Sequence, residues 1–265
     1  MIVLGFDTAT QATAVGLRLD DGGALHMRDD PAPDAHPGHA TRLLSIAAEL
    51  LAQAGLRWSD VQRIAVGVGP GRFTGLRVGI ATARGLAQSL SAELVGVSSL
   101  HALALPAVRS PHDAGAPEGH DAQDVDPTSL TTIAVIDARR GEAFAGGYAG
   151  EAEIVLPRAL RPAELEGIVV QLEGHGAPAG QRWRAVGDGA VLYAEQLRAG
   201  GVEVAEPRSP LHLLDGAVVC ELGALVAPSP AGEGALAAVL PDYRRSPDAK
   251  LARGDRPPAV GVSRA

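Results

Sequence analysis

The chain has 265 residues, 46% of them hydrophobic and only 3% aromatic, a length that suits one large or two small domains. Its formal net charge of −8 at pH 7 argues against a surface that binds nucleic acid over its whole extent. A single cysteine excludes an intramolecular disulfide framework, and the lack of a basic leader or of ~18 consecutive apolar residues leads us to expect a cytoplasmic protein that spans no membrane.

The first 105 residues show the element order of a ribonuclease-H-like lobe: three strands in a meander, then two crossover units of helix and strand. Apolar runs bounded by turn signals predict the strands. Apolar residues at i, i+3, i+4 and i+7 predict the first helix, which ends at Gly55. In chain order, the predicted elements are strands at 2–6, 13–19 and 23–28, a helix at 38–54, a strand at 63–68, a helix at 73–90, a strand at 94–97 and a helix at 99–105.

The helix predicted at 73–90 follows a Gly-Pro-Gly turn and carries a small residue at every fourth position, namely Gly75, Gly79, Ala83 and Ala87. Residues four apart stack on one face of a helix, and glycine costs about 1 kcal/mol against alanine there, so the stripe indicates another backbone packed closely on it. We interpret that backbone as a second protein chain, and expect Gly79→Leu to leave the monomer folded while abolishing pairing. Phosphate binding at the turn is the alternative. The segment has no Gly-Lys-Ser/Thr, so it is no Walker loop, and it is no dinucleotide fingerprint because the glycine spacing is wrong and no acid follows at the proper distance.

The opening pattern recurs after residue 130, where an apolar strand again closes on an aspartate, Asp137. We expect Cys220, in an apolar stretch of the last helix, to be a buried and unreactive thiol. Strands are predicted at 132–137, 142–148, 153–156 and 183–186, and helices near 161–167, after Gly189 and near 211–227. The predicted domains are a first lobe at 1–105, a mobile Pro- and acid-rich loop at 106–130, a reduced second lobe at 131–207, a C-terminal helix and strand-like end at 208–245 that pack back on the lobes, and a disordered tail at 246–265.

Two such lobes in tandem give an α/β fold of the actin, sugar-kinase and heat-shock ATPase superfamily. In those folds a nucleotide lies between the lobes, and a glycine-containing hairpin after the first strand approaches its phosphates. The corresponding turn here, Asp7-Thr8-Ala9-Thr10, has no glycine. We interpret Asp7 as a cap of its own turn, with a water-mediated Mg²⁺ role as the alternative. The candidate residues of a vestigial nucleotide cleft are Asp7, Thr8, Asp137, Arg139, Gly187 and Gly189.

Several motifs along the chain resemble one family. They are Asp7-Thr-Ala-Thr10, His39-Ala-Thr-Arg42-Leu-Leu, Gly69-Pro-Gly-Arg-Phe-Thr-Gly-Leu-Arg77-Val-Gly, Gly96-Val-Ser-Ser-Leu100, Asp137-Ala-Arg-Arg-Gly-Glu142 and Tyr243-Arg-Arg. On these residues, and over nearly its whole length apart from 106–130 and the tail, the chain resembles the TsaB (YeaZ) family, the bacterial partner of TsaD in making threonylcarbamoyladenosine in tRNA. The resemblance implies a non-catalytic scaffold that pairs with a TsaD-type paralogue as a heterodimer, acts with a TsaE-type ATPase, and forms a homodimer when alone. It also implies an indirect relation to tRNA, modified at the adenosine next to the anticodon of ANN-decoding tRNAs.

TsaD-type proteins carry a His-x-x-x-His metal pair after the strand that ends here at Val97. The matching positions in this chain are Ser99 and Leu103, which are poor metal ligands. His36 and His39 are separated by a proline and a glycine, so a helical metal pair is not expected there either. The resemblance therefore implies that this chain alone binds no metal or other cofactor, and that ATP and metal belong to the partner subunits.

Two functions stay open at this point. The first is the scaffold, with an interface on the two helices of the first lobe. The alternative is a small-molecule kinase or ATPase of the same superfamily, in which the turn Val186-Gly-Asp-Gly189 would hold an adenosine. Candidates for a direct tRNA contact are Arg139, Arg140, Arg244 and Arg245. The predicted partner interface consists of His39, Arg42, Leu43, Ile46, Phe73, Gly75, Leu76, Arg77, Gly79, Ile80 and Ala83.

Overall fold

The structure, a computed structural model, describes residues 1–32, 35–109, 130–149, 152–174, 181–228 and 238–244. These residues contain two five-stranded sheets. The first sheet consists of β1 (Val3–Asp7), β2 (Thr13–Arg18), β3 (Ala24–Asp29), β4 (Arg63–Gly69) and β5 (Glu93–Ser98). The second consists of β6 (Leu130–Arg139), β7 (Glu142–Ala149), β8 (Ala152–Leu160), β9 (Arg182–Val186) and β10 (Glu203–Val204).

Both sheets have the same topology. The first has the order β3-β2-β1-β4-β5, with antiparallel pairs from β1 to β3 and parallel pairs from β1 through β4 to β5. The second repeats this as β8-β7-β6-β9-β10. A three-strand meander extended by two parallel strands is the ribonuclease-H-like arrangement. The prediction of two tandem α/β lobes is therefore confirmed, and the two-residue β10 makes the second lobe the reduced copy.

The helices cover the faces of these sheets. They are α1 (His39–Gln53), α2 (Phe73–Leu90), α3 (Ser99–Arg109), α4 (Pro162–Glu166), α5 (Ile168–Gly174), α6 (Asp188–Leu192), α7 (Ala194–Ala199) and α8 (Gly216–Leu225), with short 3-10 helices at Trp58–Asp60 and Pro210–His212. None of these helices is long and apolar enough to cross a membrane.

The observed elements differ from the predicted ones at several places. Helix α8 begins at Gly216 where a helix near 211–227 was predicted, and β8 extends to Leu160 beyond the predicted 153–156. Helix α3 continues through Pro106 to Arg109, so the predicted loop at 106–130 begins as helix, and its residues 110–129 lie outside the described part of the chain. The short elements α5 and β10 were not predicted. Residues 238–244 form no strand, and contact β4 through a hydrogen bond from Asp242 N to Val68 O at 2.8 Å. The tail at 246–265 also lies outside the described residues.

Among the described residues, three hydrophobic clusters form the core of the molecule. One buries α1 and α2 on the outer face of the first sheet, with Phe6 and Leu50 at its centre. A second joins the two lobes through α3 and α8, and includes Val3 from the first sheet and Ile136 from the second. The third lies between the second sheet and helices α4 to α7. This arrangement leaves the outer surfaces of α1 and α2 facing away from the rest of the molecule.

Helix α8 returns to the first lobe. It crosses β1 and β2 so closely that a Cβ on Gly16 would overlap the backbone of Gly216, and one on Gly5 would lie 2.7 Å from Cys220 Sγ. Cys220 is fully buried there, as expected, and burial raises the pKa of its thiol to about 12, which disfavours the reactive thiolate.

Arg63, at the start of β4, holds the end of α8 in place. Its buried guanidinium donates hydrogen bonds to the carbonyls of Gly223, Ala224 and Val226 at 2.9, 3.1 and 3.0 Å. The last carbonyls of a helix have no partner within the helix. A side chain from the first lobe therefore completes a helix that the chain reaches only after building the second lobe.

Candidate partner surface and interlobe cleft

The stripe of small residues on α2 faces the protein's own sheet. A Cβ on Gly75 would overlap the carbonyl oxygen of Thr8, and a Cβ on Gly79 would overlap Thr8 Oγ1. Ala83 and Ala87 are buried in the core under the same helix. The spacing correctly indicated a closely approaching backbone, but the interpretation that this backbone belongs to another chain is wrong. It belongs to the turn between β1 and β2.

Most of the predicted interface residues are likewise internal. They are buried in the first lobe and do not belong to the outer surface of α1 and α2; they are His39, Leu43, Ile46, Gly75, Leu76, Gly79, Ile80 and Ala83. Three others, Arg42, Phe73 and Arg77, are exposed. For these three the partner interface stays a prediction.

The exposed face of α2 carries a second four-residue stripe that sequence analysis missed: Phe73, Arg77, Ala81 and Gly85. It is shifted by two residues from the buried stripe, which places it about 200° around the helix. On α1 the exposed stripe is Ala40, Leu44 and Ala48, and the Leu44 side chain is 46% exposed. From sequence alone, Leu43 and Leu44 both fit an apolar helix face. Only the position of the sheet distinguishes them, because the sheet buries Leu43 and leaves Leu44 exposed.

Residues 242–244 lie against the N-terminal end of α2. The ring of Tyr243 lies 5.3 Å from that of Phe73, and the guanidinium of Arg77 lies 3.8 Å from the centre of the Phe73 ring. Arg77 Nε also donates to the Tyr243 hydroxyl at 3.1 Å. Phe73 and Tyr243 are still 54% and 47% exposed, so this aromatic pair forms an open surface. Arg244 pairs with Asp242 at 2.6 Å, and Arg245 lies outside the described residues.

The turn between β1 and β2 uses its own polar groups. Ala9 N donates to Asp7 Oδ1 at 2.6 Å, Arg72 N donates to Ala9 O at 2.7 Å, and Thr8 Oγ1 donates to Gly75 O at 2.8 Å. Asp7 therefore caps its own turn, as predicted. Because the Ala9 amide is paired inside the chain, it is not available to a phosphate.

Asp7 is sealed from solvent. Its side chain is fully buried, and Oδ2 accepts a hydrogen bond from Ser99 Oγ at 2.5 Å. Ser99 Oγ in turn accepts from Gly69 N at 3.1 Å. Burial raises the pKa of the Asp7 carboxyl, against the hydrogen bond from Ser99, which lowers it. Leu103 is also buried, so both positions that match the paralogue's histidines belong to the interior.

The second lobe brings the other predicted cleft residues together. Asp137 Oδ1 accepts from Arg139 N at 2.8 Å, and Asp137 N donates at 3.0 Å to Asp188 Oδ1, a residue that sequence analysis missed. Burial raises the pKa of Asp188, and the charge of Asp137 adds to that effect. A Cβ on Gly189 would lie 2.9 Å from the Ile136 carbonyl carbon, and one on Gly187 would overlap the Val135 carbonyl. These glycines therefore pack α6 against β6.

Arginines from the two lobes meet at the mouth of the interlobe cleft. With its amide oxygen turned toward them, Gln11 accepts hydrogen bonds from Arg72 at 3.0 Å and from Arg139 at 2.5 Å. Burial lowers the pKa of Arg72, and the neighbouring charge of Arg139 lowers it further. The cleft has a volume of about 1220 Å³ and is lined by the starts of α1 and α2, the β6–β7 hairpin and residues 242–244.

His39 lies at the inner wall of this cleft. Its Nδ1 is 2.9 Å from Thr13 Oγ1, and the side chain is buried, which lowers its pKa. His36 lines the cleft nearby. Within the described residues, no group of three or more His, Cys, Asp or Glu side chains is arranged to hold a metal ion.

We expect Asp7→Asn to stabilise the isolated protein at neutral pH. Burial raises the pKa of the Asp7 carboxyl in the folded state above its unfolded-state pKa of 3.8. The carboxyl therefore stabilises the fold fully below pH 3.8, and this stabilisation is lost as the pH rises through the folded-state pKa. Asparagine stays neutral, keeps an oxygen for Ala9 N and offers an N–H to Ser99. Urea unfolding from about pH 4 to about pH 7 should show a stabilisation that grows with pH. The exposed control Glu49→Gln should change stability by less than about 0.5 kcal/mol throughout; a pH-independent effect of Asp7→Asn would contradict the prediction.

Comparison with known proteins places the chain. The sequence model of the TsaD family, tRNA N6-adenosine threonylcarbamoyltransferase, matches residues 33–160. The chain is 31% identical over 190 residues to the tRNA threonylcarbamoyladenosine biosynthesis protein TsaB of Escherichia coli strain K12, a match that covers 70% of this chain and 73% of that protein. It is 35% identical over 144 residues to TsaB of Haemophilus influenzae, with 54% and 52% covered.

Solved structures agree with these relatives. YeaZ from Pseudomonas aeruginosa is similar with a TM-score of 0.67 and 26% sequence identity, over 91% of this chain and 99% of that chain. The shared fold extends across both lobes, and the sequence match extends over two thirds of a curated relative. The chain therefore belongs to the TsaB (YeaZ) family of tRNA threonylcarbamoyladenosine biosynthesis proteins.

Proposed function

We propose that this chain is a non-catalytic scaffold subunit of the threonylcarbamoyl transfer. It pairs with a catalytic TsaD-type paralogue and acts with a TsaE-type ATPase, and the substrate is the adenosine next to the anticodon of ANN-decoding tRNAs. In this proposal ATP and metal belong to the partner subunits. The observation that carries the proposal is the closed turn between β1 and β2, where Asp7 is buried and bonded to Ser99.

The closed turn matters because of the chemistry of the reaction. Transfer of a carbamoyl group to a weakly nucleophilic amine requires a Lewis acid or an oxyanion site that stabilises charge on the carbonyl. In this chain Asp7 holds its own turn, Ser99 holds Asp7, and Leu103 is part of the core. The alternative function, a small-molecule kinase or ATPase, is disfavoured by the same turn, and by the packing of Gly187 and Gly189 on β6.

The partner surface is the outer face of α1 and α2. It combines small residues, which allow another helix to approach closely, with the exposed Leu44 at its centre. The same surface would hold a second copy of the chain when the partner is absent, in line with the expected homodimer.

Reconstitution with purified components tests the scaffold role. Threonylcarbamoyl-adenylate, tRNA, the TsaD-type partner and the TsaE-type ATPase are incubated with or without this chain, and modified adenosine is quantified by mass spectrometry. We expect modification only when both this chain and the partner are present. Modification by this chain without the TsaD-type protein, or full activity of that protein without this chain, would refute the proposal.

A further inference from the structure

A cluster of arginines lines the interlobe cleft of this acidic protein. Arg72 and Arg77 come from the start of α2, Arg139 and Arg140 from the β6–β7 hairpin, and Arg244 from the C-terminal segment. Among the described residues that line the cleft, the acidic one is Asp242, which is paired with Arg244. The chain as a whole has a net charge of −8, so the positive charge is concentrated here.

The N-terminal end of α2 opens into the same cleft. This helix has 18 residues, no acidic residue in its first turn and no side-chain cap on its first amides. Its first residues and Gly71, which has no side chain to block access, line the cavity. The amides at a helix start carry partial positive charge and favour an anion.

A buried side chain at the cleft wall supplies an independent sign of a ligand. His39 is 5% exposed and lines the cavity, yet its Nε2 has no hydrogen-bond partner among the described residues. Nδ1 of this ring lies 2.9 Å from Thr13 Oγ1, and the backbone of Thr10 also acts on the ring. A buried ring nitrogen without a partner is costly unless a group from outside the chain pairs with it.

The hairpin arginines lie in the tight turn between β6 and β7 and line the cleft. Arg139 and Arg140 have φ values of 63° and 56°, the left-handed conformation that tight hairpin turns require. Arg139 and Arg72 converge on one acceptor, the Gln11 amide oxygen, while Asp137 and Asp188 act on these arginines from the second lobe. Arg139 also pairs with Asp137 at 3.4 Å.

The geometry points to a phosphate-binding site in this cleft that takes single-stranded RNA, with backbone phosphates on the arginines and the start of α2, and bases stacked on Phe73 and Tyr243. The two rings are about half exposed and lie at the cleft edge with the Arg77 guanidinium over the Phe73 ring, a combined aromatic and cationic surface of the kind that binds single-stranded nucleic acid. A free nucleotide would instead need an enclosing site, and the turn between β1 and β2 is closed. The choice of RNA rests on the proposed function, because tRNA is the substrate there.

Binding by the isolated full chain tests this inference. A fluorescein-labelled RNA with the sequence of an ANN-decoding anticodon arm is titrated at about 50 and about 200 mM salt, and anisotropy gives the Kd. We expect Arg139→Ala/Arg140→Ala to weaken binding at least about tenfold and to reduce the salt slope by about 1 for each arginine. Arg182→Ala, which removes an exposed arginine paired with Glu203 on the second sheet, should bind as the parent does.

Further measurements test whether each variant is folded and whether the ligand is RNA or a free phosphate compound. Phe73→Leu retains an apolar side chain but loses the stacking face, and should weaken RNA binding about fivefold, while circular dichroism shows that each variant is folded. Excess ADP or inorganic phosphate should displace the RNA only weakly; displacement by ADP at the RNA's own concentration would overturn the RNA assignment. Unchanged affinity of the double arginine variant would overturn the site. Because this assay contains no partner protein, its failure is distinct from a failure of the reconstitution.

Discussion

Gly75→Ala is expected to destabilise the isolated protein by about 2 kcal/mol. The added methyl group would overlap the Thr8 carbonyl oxygen, so α2 must move away from the turn between β1 and β2. Overpacking of this kind costs about 1–3 kcal/mol and sometimes more, and the better helix propensity of alanine returns about 1 kcal/mol of it. The displacement would also break the hydrogen bond from Thr8 Oγ1 to Gly75 O. Urea unfolding followed by circular dichroism measures the change.

Gly85→Ala is the matched control in the same helix. Gly85 is exposed, and a Cβ there meets no atom within 4 Å, so this substitution should stabilise the protein by about 0.5–1 kcal/mol. Opposite signs at two glycines of one helix would show that packing, and not propensity, decides the result. Equal effects at both positions would contradict the packing described here. By the same reasoning Gly79→Leu should unfold the chain, the reverse of the outcome expected from the stripe alone.

Leu44→Arg is expected to abolish pairing with the TsaD-type partner and to lower modification in the reconstituted reaction at least about 100-fold. Leu44 lies in the middle of the exposed α1 stripe, and an arginine there would bury an unpaired charge in the interface, which costs about 3–5 kcal/mol. A loss of 1.4 kcal/mol corresponds to a tenfold weaker complex. Size-exclusion chromatography of the mixed proteins measures pairing, and the modified nucleoside measures activity.

Val170→Arg controls for the general effect of an added charge. Val170 is 74% exposed on α5 of the second lobe, far along the chain from the proposed surface. Both variants should keep the unfolding free energy of the isolated chain within about 0.5 kcal/mol, because both side chains point to solvent. Normal pairing of Leu44→Arg, or equal loss in Val170→Arg, would show that the partner binds elsewhere.

The lobes themselves could be predicted from sequence because their strands and long helices carry strong periodic signals. The short α5 and β10 carry too few residues for a period to be visible. The sidedness of α2 was misassigned for a different reason. A stripe of small residues indicates that another backbone packs closely on the helix, but it does not indicate which one. Here it is the turn at Thr8, which is far away in sequence.

The same limit applies to the cleft. The capping role of Asp7 followed from its own turn, since the donor is two residues away. The partnership of Asp137 with Asp188 and the meeting of Arg72 with Arg139 at Gln11 join residues from different elements or lobes. Such contacts are created by the tertiary fold, so no local pattern announces them.

The return of α8 to the first lobe has a consequence for how the chain is made. The inner face of the first sheet, with Val3 and Ala65, is covered by a helix that starts at Gly216. A ribosome adding about 5–20 residues per second needs roughly 5–20 s to pass from the end of α3 to that helix. During this interval the nascent first lobe exposes apolar surface, and a chaperone has time to bind it. The interval ends when Arg63 donates hydrogen bonds to the carbonyls at the end of α8.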